Sequence, residues 1–198
     1  MKYIKSLSII ALFAFVVTAC KTQMVERIDE FNLEQGGYMR TVNFAPYDPG
    51  AALEAVTRAK ISKANLAGTK LESILEAVTP NQGSLFTAYD LSIRFVDATP
   101  ANGNKTTTVR PLRSIPASAY TKDATTGYPR HTLIITGAEA LTATQLTADD
   151  ISAGDRWEIT ATMKLSNGKS FNAANTGLNI TGGAFYSSPF FYRLNVLL

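Results

Sequence analysis

The chain of 198 residues contains one cysteine, one histidine and one tryptophan, and each scarcity removes a class of chemistry. A lone histidine, His131, cannot build an imidazole metal site. With no second cysteine beside it, zinc is short of ligands. No Gly-x-Ser-x-Gly elbow occurs, and no Cys/His nucleophilic pair can form. His131 follows Pro129 and Arg130 at the start of an extended run, the setting of a structural or exposed histidine. Charge is also sparse. Asp, Glu, Lys and Arg make up 18% of the chain, and no dense Lys/Arg run exists to track a phosphate backbone, so nucleic acid is not an expected partner. Long apolar runs are missing too. The longest, Leu7 to Val17, has about eleven residues where a bilayer-crossing helix needs roughly 20.

That apolar run has another use. Lys2 and Lys5 precede it, and Val17-Thr18-Ala19-Cys20 follows it, placing small residues directly before the cysteine. This is the layout of a lipoprotein signal peptide over residues 1–19, with Cys20 as the lipidated residue of the mature amino terminus. A diacylglyceryl thioether plus an acylated amino group supply more hydrocarbon than stable anchoring requires. Removing the signal also removes Lys2 and Lys5. The formal balance of 19 basic against 16 acidic residues then becomes 17 against 16, so the apparent basicity is largely a property of the leader. A mature domain without a free thiol must be stable without disulfides, through an apolar core and backbone pairing.

Residues 20–35 are polar and mixed in charge, and read as a lipidated tether. From residue 36 the text turns strand-like. Tyr38, Val42 and Phe44 alternate with Met39, Thr41 and Asn43. Residues 50–65 fit neither period well and are expected to form a short helix or an irregular edge. Lys70 to Val78, the turn residues Thr79 to Gly83, and Leu85 to Val96 read as a β-hairpin. Pro111 and Pro116 forbid a central strand between Val109 and Tyr120. A loop from Thr121 to Pro129 leads to a strand from Arg130 to Gly137.

The clearest periodicity lies at Arg156 to Leu165. There Trp157, Ile159, Ala161, Met163 and Leu165 face one way, and Arg156, Glu158, Thr160, Thr162 and Lys164 the other. Asn167-Gly168 suggests a type I′ turn into a returning strand at Lys169 to Phe171. A last strand runs from Phe190 to Leu198. Turn-linked strands with little helical periodicity predict an all-β fold. The expectation is a single immunoglobulin-like β-sandwich of about eight or nine strands over residues 36–198.

Three groups of residues could carry function. Asp149, Asp150 and Asp155 offer oxygens at a spacing a calcium ion could use, but without the EF-hand pattern. Thr147-Ala148-Asp149-Asp150 equally resembles a capping box, which is the favoured reading. Phe185, Tyr186, Phe190, Phe191 and Tyr192 concentrate aromatics that could stack on sugar rings as a ligand or partner surface; the same residues could instead close the core. A glycosidase pair among the 16 acids stays open, although no spacing selects one.

Several strings resemble a group of Bacteroidota outer-membrane lipoproteins associated with SusC/SusD-type nutrient-uptake systems. They are GGYMRTV, LESILEAV through LSIRFVD, SIPASAY with GYPR, LTADDISAGDRWEITATMKLSNGKSF, and GGAFYSSPFFYRLNV. The resemblance runs over nearly all of the chain from residue 36. It implies a β-sandwich held at the outer membrane by its lipid, acting as a non-enzymatic accessory subunit that binds glycan or protein beside a SusC/SusD-like transporter pair. It implies no cofactor and brings no catalytic residue. A purely structural or assembly lipoprotein without a small ligand is the alternative, and a carboxylate-dependent glycoside hydrolase a more remote one. Surface-exposed members often have acids soon after the lipidated cysteine. Here Lys21 to Val25 contain none before Glu26, which leaves both the cell-surface and the periplasmic leaflet open.

Overall fold

Trp157, Ile159, Ala161, Met163 and Leu165 are all at most 5% exposed, so the strongest sequence period does mark an inner sheet face. The computed structural model describes residues 36–45, 57–181, 188 and 190–198. The expected signal peptide and tether, with Cys20, lie outside them, as do Phe185 and Tyr186. Residues 37–198 form one compact unit.

Ten strands are present among the described residues, two of them only two residues long. They are β1 (Tyr38–Ala45), β2 (Thr57–Ser62), β3 (Lys70–Val78), β4 (Phe86–Val96) and β5 (Arg110–Pro116). After these come β6 (Thr121–Lys122), β7 (Pro129–Thr136), β8 (Arg156–Leu165), β9 (Ser170–Phe171) and β10 (Phe191–Leu197). One sheet has the order β1-β3-β7-β6. The other runs β2-β10-β8-β4-β5, with β9 added alongside β8. Their inner faces share one apolar core, to which Met39, Leu71, Leu75 and Leu133 contribute from the first sheet. Tyr89, Ile93, Phe95, Trp157, Tyr192 and Leu194 come from the second. Each large side chain taken fully out of water is worth roughly 1.5–3 kcal/mol. The fold is an all-β sandwich.

The expected hairpin at residues 70–96 does not form. β3 pairs with β1 and β7, whereas β4 pairs with β5 and β8, so the segment between them crosses from one sheet to the other. Asn81, Gln82 and Gly83 all take positive φ there, which carries the chain round a bend no two-residue hairpin turn needs. Turn residues signal a reversal. They do not say which sheet receives the next strand.

Of residues 50–65, residues 50–56 lie outside the described ones. Thr57–Ser62 form a strand at the edge of the second sheet and Lys63–Asn65 make one 3-10 turn, so the edge reading holds for 57–62 and the helix reading does not. Ala59 and Ile61 point into the core while Arg58 and Lys60 point out, and β2 runs parallel to β10. Ala and Glu upstream blurred this short alternation. β1 carries a bulge between Thr41 and Asn43; Met39 and Thr41 face inward, and Val42 is left 41% exposed. β5 includes both Pro111 and Pro116 and lies at a sheet edge, where missing N–H donors do no harm.

The turn after β8 differs in type from the expectation. Only Gly168 has positive φ, at 81°. Its N–H donates to the Leu165 carbonyl at 3.1 Å, and Leu165 N–H donates to the Lys169 carbonyl at 3.0 Å. That is a three-residue loop with a left-handed glycine bulge, not a type I′ turn. One helix, α1 (Gly137–Thr144), was unanticipated. The Thr136 side chain accepts from Glu139 N–H at 3.1 Å, so the spacing Thr-x-x-Glu was its available signal.

Candidate functional site

The aromatic group from the carboxyl-terminal region does not present a platform among its described members. Phe190 and Tyr192 are 1% and 0% exposed. Tyr192 shares a hydroxyl–hydroxyl hydrogen bond of 2.9 Å with Tyr89, and the Phe190 ring lies 6.3 Å from that of Tyr89. These rings close the core. Phe191 alone turns outward, half-buried, with the Arg193 guanidinium 5.6 Å above its ring.

Two of the three aspartates serve loops. Thr147 N–H and hydroxyl donate to Asp150 at 2.9 and 2.7 Å, forming the capping arrangement, and Lys105 Nζ lies 2.8 Å from the other Asp150 oxygen. Those contacts hold the Asp150 carboxyl well below the ordinary range, the Lys105 bond first. Asp155 is buried, and both of its oxygens are taken. Ala98 N–H and the Thr99 hydroxyl donate to one at 2.9 and 3.2 Å, and Ser152 N–H to the other at 2.6 Å. Asp149 is exposed. No group of three metal-ligating side chains occurs among the described residues. His131 Nδ1 lies 3.1 Å from the Ala119 carbonyl, with its ring packed on Tyr120.

Two carboxylates missed as candidates prove central to the sheet faces. On the outer face of the first sheet, Arg40, Glu76 and Arg130 stand side by side on β1, β3 and β7. The Glu76 carboxylate is fully covered. It accepts from Arg40, from Arg130 Nε at 2.7 Å and from the Thr126 hydroxyl at 3.0 Å. Burial pushes its pKa up, but the bonds from Arg130, Arg40 and Thr126 outweigh this and leave it lowered. Arg130 also meets Asp123 at 2.6 Å. Lys70 pairs with Glu72, so cations and acids on this face match in number.

The outer face of the second sheet is different. Register places Arg94 of β4, Glu158 of β8, Arg193 of β10 and Arg58 of β2 in one row across four strands. Arg156 and Lys60 flank Asn195 in the adjacent row. Glu158 accepts from Arg94 Nε and Nη2 at 2.9 and 2.5 Å and from Arg156 Nε at 2.8 Å, with Arg193 Nη2 at 3.8 Å. Burial again raises the carboxyl pKa and the Arg156 and Arg94 bonds lower it further, so it stays ionised. One buried acid thus gathers the guanidiniums of Arg94 and Arg156, with that of Arg193 nearby.

The chain matches no protein-family model and no curated protein. The reading therefore rests on the face itself. The register brings Arg58, Lys60, Arg94, Arg156 and Arg193 onto the same outer face as Glu158. Arg156 was legible in the sequence as an outward strand position, whereas Arg58 and Lys60 lie in the stretch expected as a short helix or an irregular edge. Only the register between distant strands brings them together. Chemically, Glu158 holds the planar guanidiniums of Arg94 and Arg156 in place on this outer face.

Proposed function

We propose that this chain is a lipid-anchored, non-enzymatic accessory subunit of an outer-membrane uptake complex, working through protein contacts on an immunoglobulin-like sandwich. The strand orders support the architecture. β1-β3-β7-β6 corresponds to strands A-B-E-D of such domains, and β10-β8-β4-β5 to G-F-C-C′, with β2 as a further strand parallel to β10. The inter-sheet disulfide of antibody domains has no counterpart, since Cys20 precedes the domain.

The single observation that carries the protein-binding version is the burial of Phe190 and Tyr192, which takes from the glycan-stacking version two of its five rings. Glu76 and Glu158 add support for the non-enzymatic reading. A carboxylate-dependent glycoside hydrolase needs a carboxylic acid kept protonated near neutrality, whereas both of these are held ionised by arginines. Membrane attachment rests on Cys20 and its preceding small residues. The purely structural lipoprotein is the second reading, and it differs in lacking a transporter partner.

The test is purification of the intact lipoprotein from detergent-solubilised membranes, followed by identification of the proteins that come with it. Stoichiometric recovery of a transporter-type outer-membrane protein is the expected result. Recovery of the lipoprotein alone overturns the uptake-complex assignment.

A further inference from the structure

On one flank of the sandwich, edge strand β5 of the second sheet is tied to β7 of the first by a single arginine. Gly137 N–H donates to the Thr69 carbonyl at 3.2 Å, which continues the β3–β7 ladder and fixes its phase. His131, Leu133 and Ile135 therefore turn their backbone groups to β3, whereas Thr132, Ile134 and Thr136 turn theirs away. On that outer edge β6 pairs only with Pro129 and Arg130, and no further strand continues it among the described residues. Thr132 and Ile134 are exposed, the latter at 37%. Across the flank, Arg113 of β5 stands opposite the buried Leu91, so it starts from the inner face of its own sheet. Its side chain then leaves that sheet. Arg113 Nη2 donates to the Ile134 carbonyl, and Nη1 lies 3.1 Å from Glu139 Oε1 on α1.

We propose that Arg113 guards the edge of β7, its guanidinium occupying the backbone acceptor through which a second copy of this chain would add its own β7. A bare edge is a template for another strand, and an inward-pointing charge is one way to blunt it. The neighbouring edge of β5 is blunted by other means, since Pro111 and Pro116 lack donors. β7 has no proline after Pro129, and Thr132, Ile134 and Thr136 are β-branched and uncharged, so this stretch suits strand pairing. A second copy is the occupant the edge fits. Two β7 strands laid antiparallel about a two-fold axis offer each other the same alternation of donors and acceptors. Arg113 opposes this through two contacts at once. One takes the Ile134 carbonyl, and the other, to Glu139, holds the planar guanidinium in place. The guard acts whether or not the chain sits in an uptake complex.

The test follows sedimentation of the intact chain in density-matched detergent from about 5 to about 200 μM. The parent should stay monomeric. Arg113→Met, which keeps the stem and loses the donors, should associate about tenfold more tightly. Arg113→Gln, whose side chain stops short of the bonded nitrogen, should behave alike. Melting of both variants at the lowest concentration should match the parent, which separates an uncovered edge from a lost fold. Hydrogen exchange then locates the contact: the Thr132 and Ile134 amides should exchange more slowly in the associated variants than in the dilute ones. Folded variants that stay as monomeric as the parent overturn the proposal. Association that leaves those two amides unprotected puts the contact elsewhere and overturns it as well, as does a parent that already pairs through them.

Discussion

Tyr89 and Tyr192 stand 103 positions apart in sequence, yet their phenolic oxygens meet at 2.9 Å in a core that exposes neither ring. β8 lies between their strands, pairing Met163 with Tyr89 and Ile159 with Tyr192. The bond therefore reaches across a strand on the inner face. It lets two buried hydroxyls satisfy each other, so the core accepts polar atoms it would otherwise exclude.

Mutual satisfaction makes the pair non-additive. Tyr89→Phe or Tyr192→Phe alone strands one buried hydroxyl and should cost about 1–3 kcal/mol in urea unfolding. The double variant removes both groups and should fall well short of the summed cost. Burial first, and the neighbouring Tyr192 second, push the Tyr89 pKa well above its ordinary value, and burial raises that of Tyr192. Their contribution is thus fully present below the unfolded value of about 10 and is lost as pH rises through the folded values. The double variant should show a flatter alkaline limb; additive costs with unchanged limbs would contradict the pairing.

Glu76 makes the complementary acid-side prediction. Its pKa is lowered by arginine contacts despite burial, so its contribution is present above the unfolded value of about 4.3 and fades as pH falls through the lower folded value. Glu76→Gln leaves Arg40 and Arg130 around a neutral group and should cost about 3 kcal/mol at pH 7. Its stability should also fall less steeply than wild type as pH drops from about 5 to about 2. Parallel acid limbs for variant and parent would mean that the carboxylate is not the group being titrated.

The crossing between sheets depends on a close approach. At Gly83, with φ of 82°, an added Cβ would lie 2.3 Å from Cδ and 2.7 Å from Cγ of Pro129, a ring that cannot swing away. Gly168 has nearly the same φ, 81°, with no atom within 4 Å of the added Cβ. Alanine at Gly168 should cost only the left-handed backbone term, about 1–2 kcal/mol. Alanine at Gly83 should cost about 1–3 kcal/mol more, from overpacking against Pro129. Equal midpoints in chemical denaturation would show that the loop relaxes freely and does not set the crossing.

What could be seen in the sequence followed the range of the underlying physics. Burial along β8 is a local alternation, and the residues from Trp157 to Leu165 announced it without a break. The edge position of β5 was equally local, since Pro111 and Pro116 lack donors wherever they sit. Pairing partners are not local. The segment after β3 carries every turn signal of a hairpin, but whether β4 joins the same sheet is decided by core packing between layers. The same limit hid the arginine face. Arg58, Arg94, Arg156 and Arg193 are unremarkable singly, and they become neighbours only through the β2-β10-β8-β4 register. α1 went unread for another reason: its eight residues are too few to show a 3.6 period, although Thr136 and Glu139 hold its cap.

The anchor is the remaining prediction, and it separates location from fold. Each buried methylene of an acyl chain is worth about 0.8 kcal/mol, so two or three chains on Cys20, as proposed, would hold the mature protein to a bilayer with no help from the domain. Cys20→Ser would remove the proposed thioether and every later acylation step, yet it lies sixteen residues before the first described one. The variant should move from the membrane pellet to the soluble fraction while keeping the melting temperature and the near-ultraviolet signal of buried Trp157. Loss of that signal would mean that lipidation supports folding itself. Membrane association unchanged in the variant would show that attachment comes from the domain, and the small residues before Cys20 would then lose their meaning as a processing site.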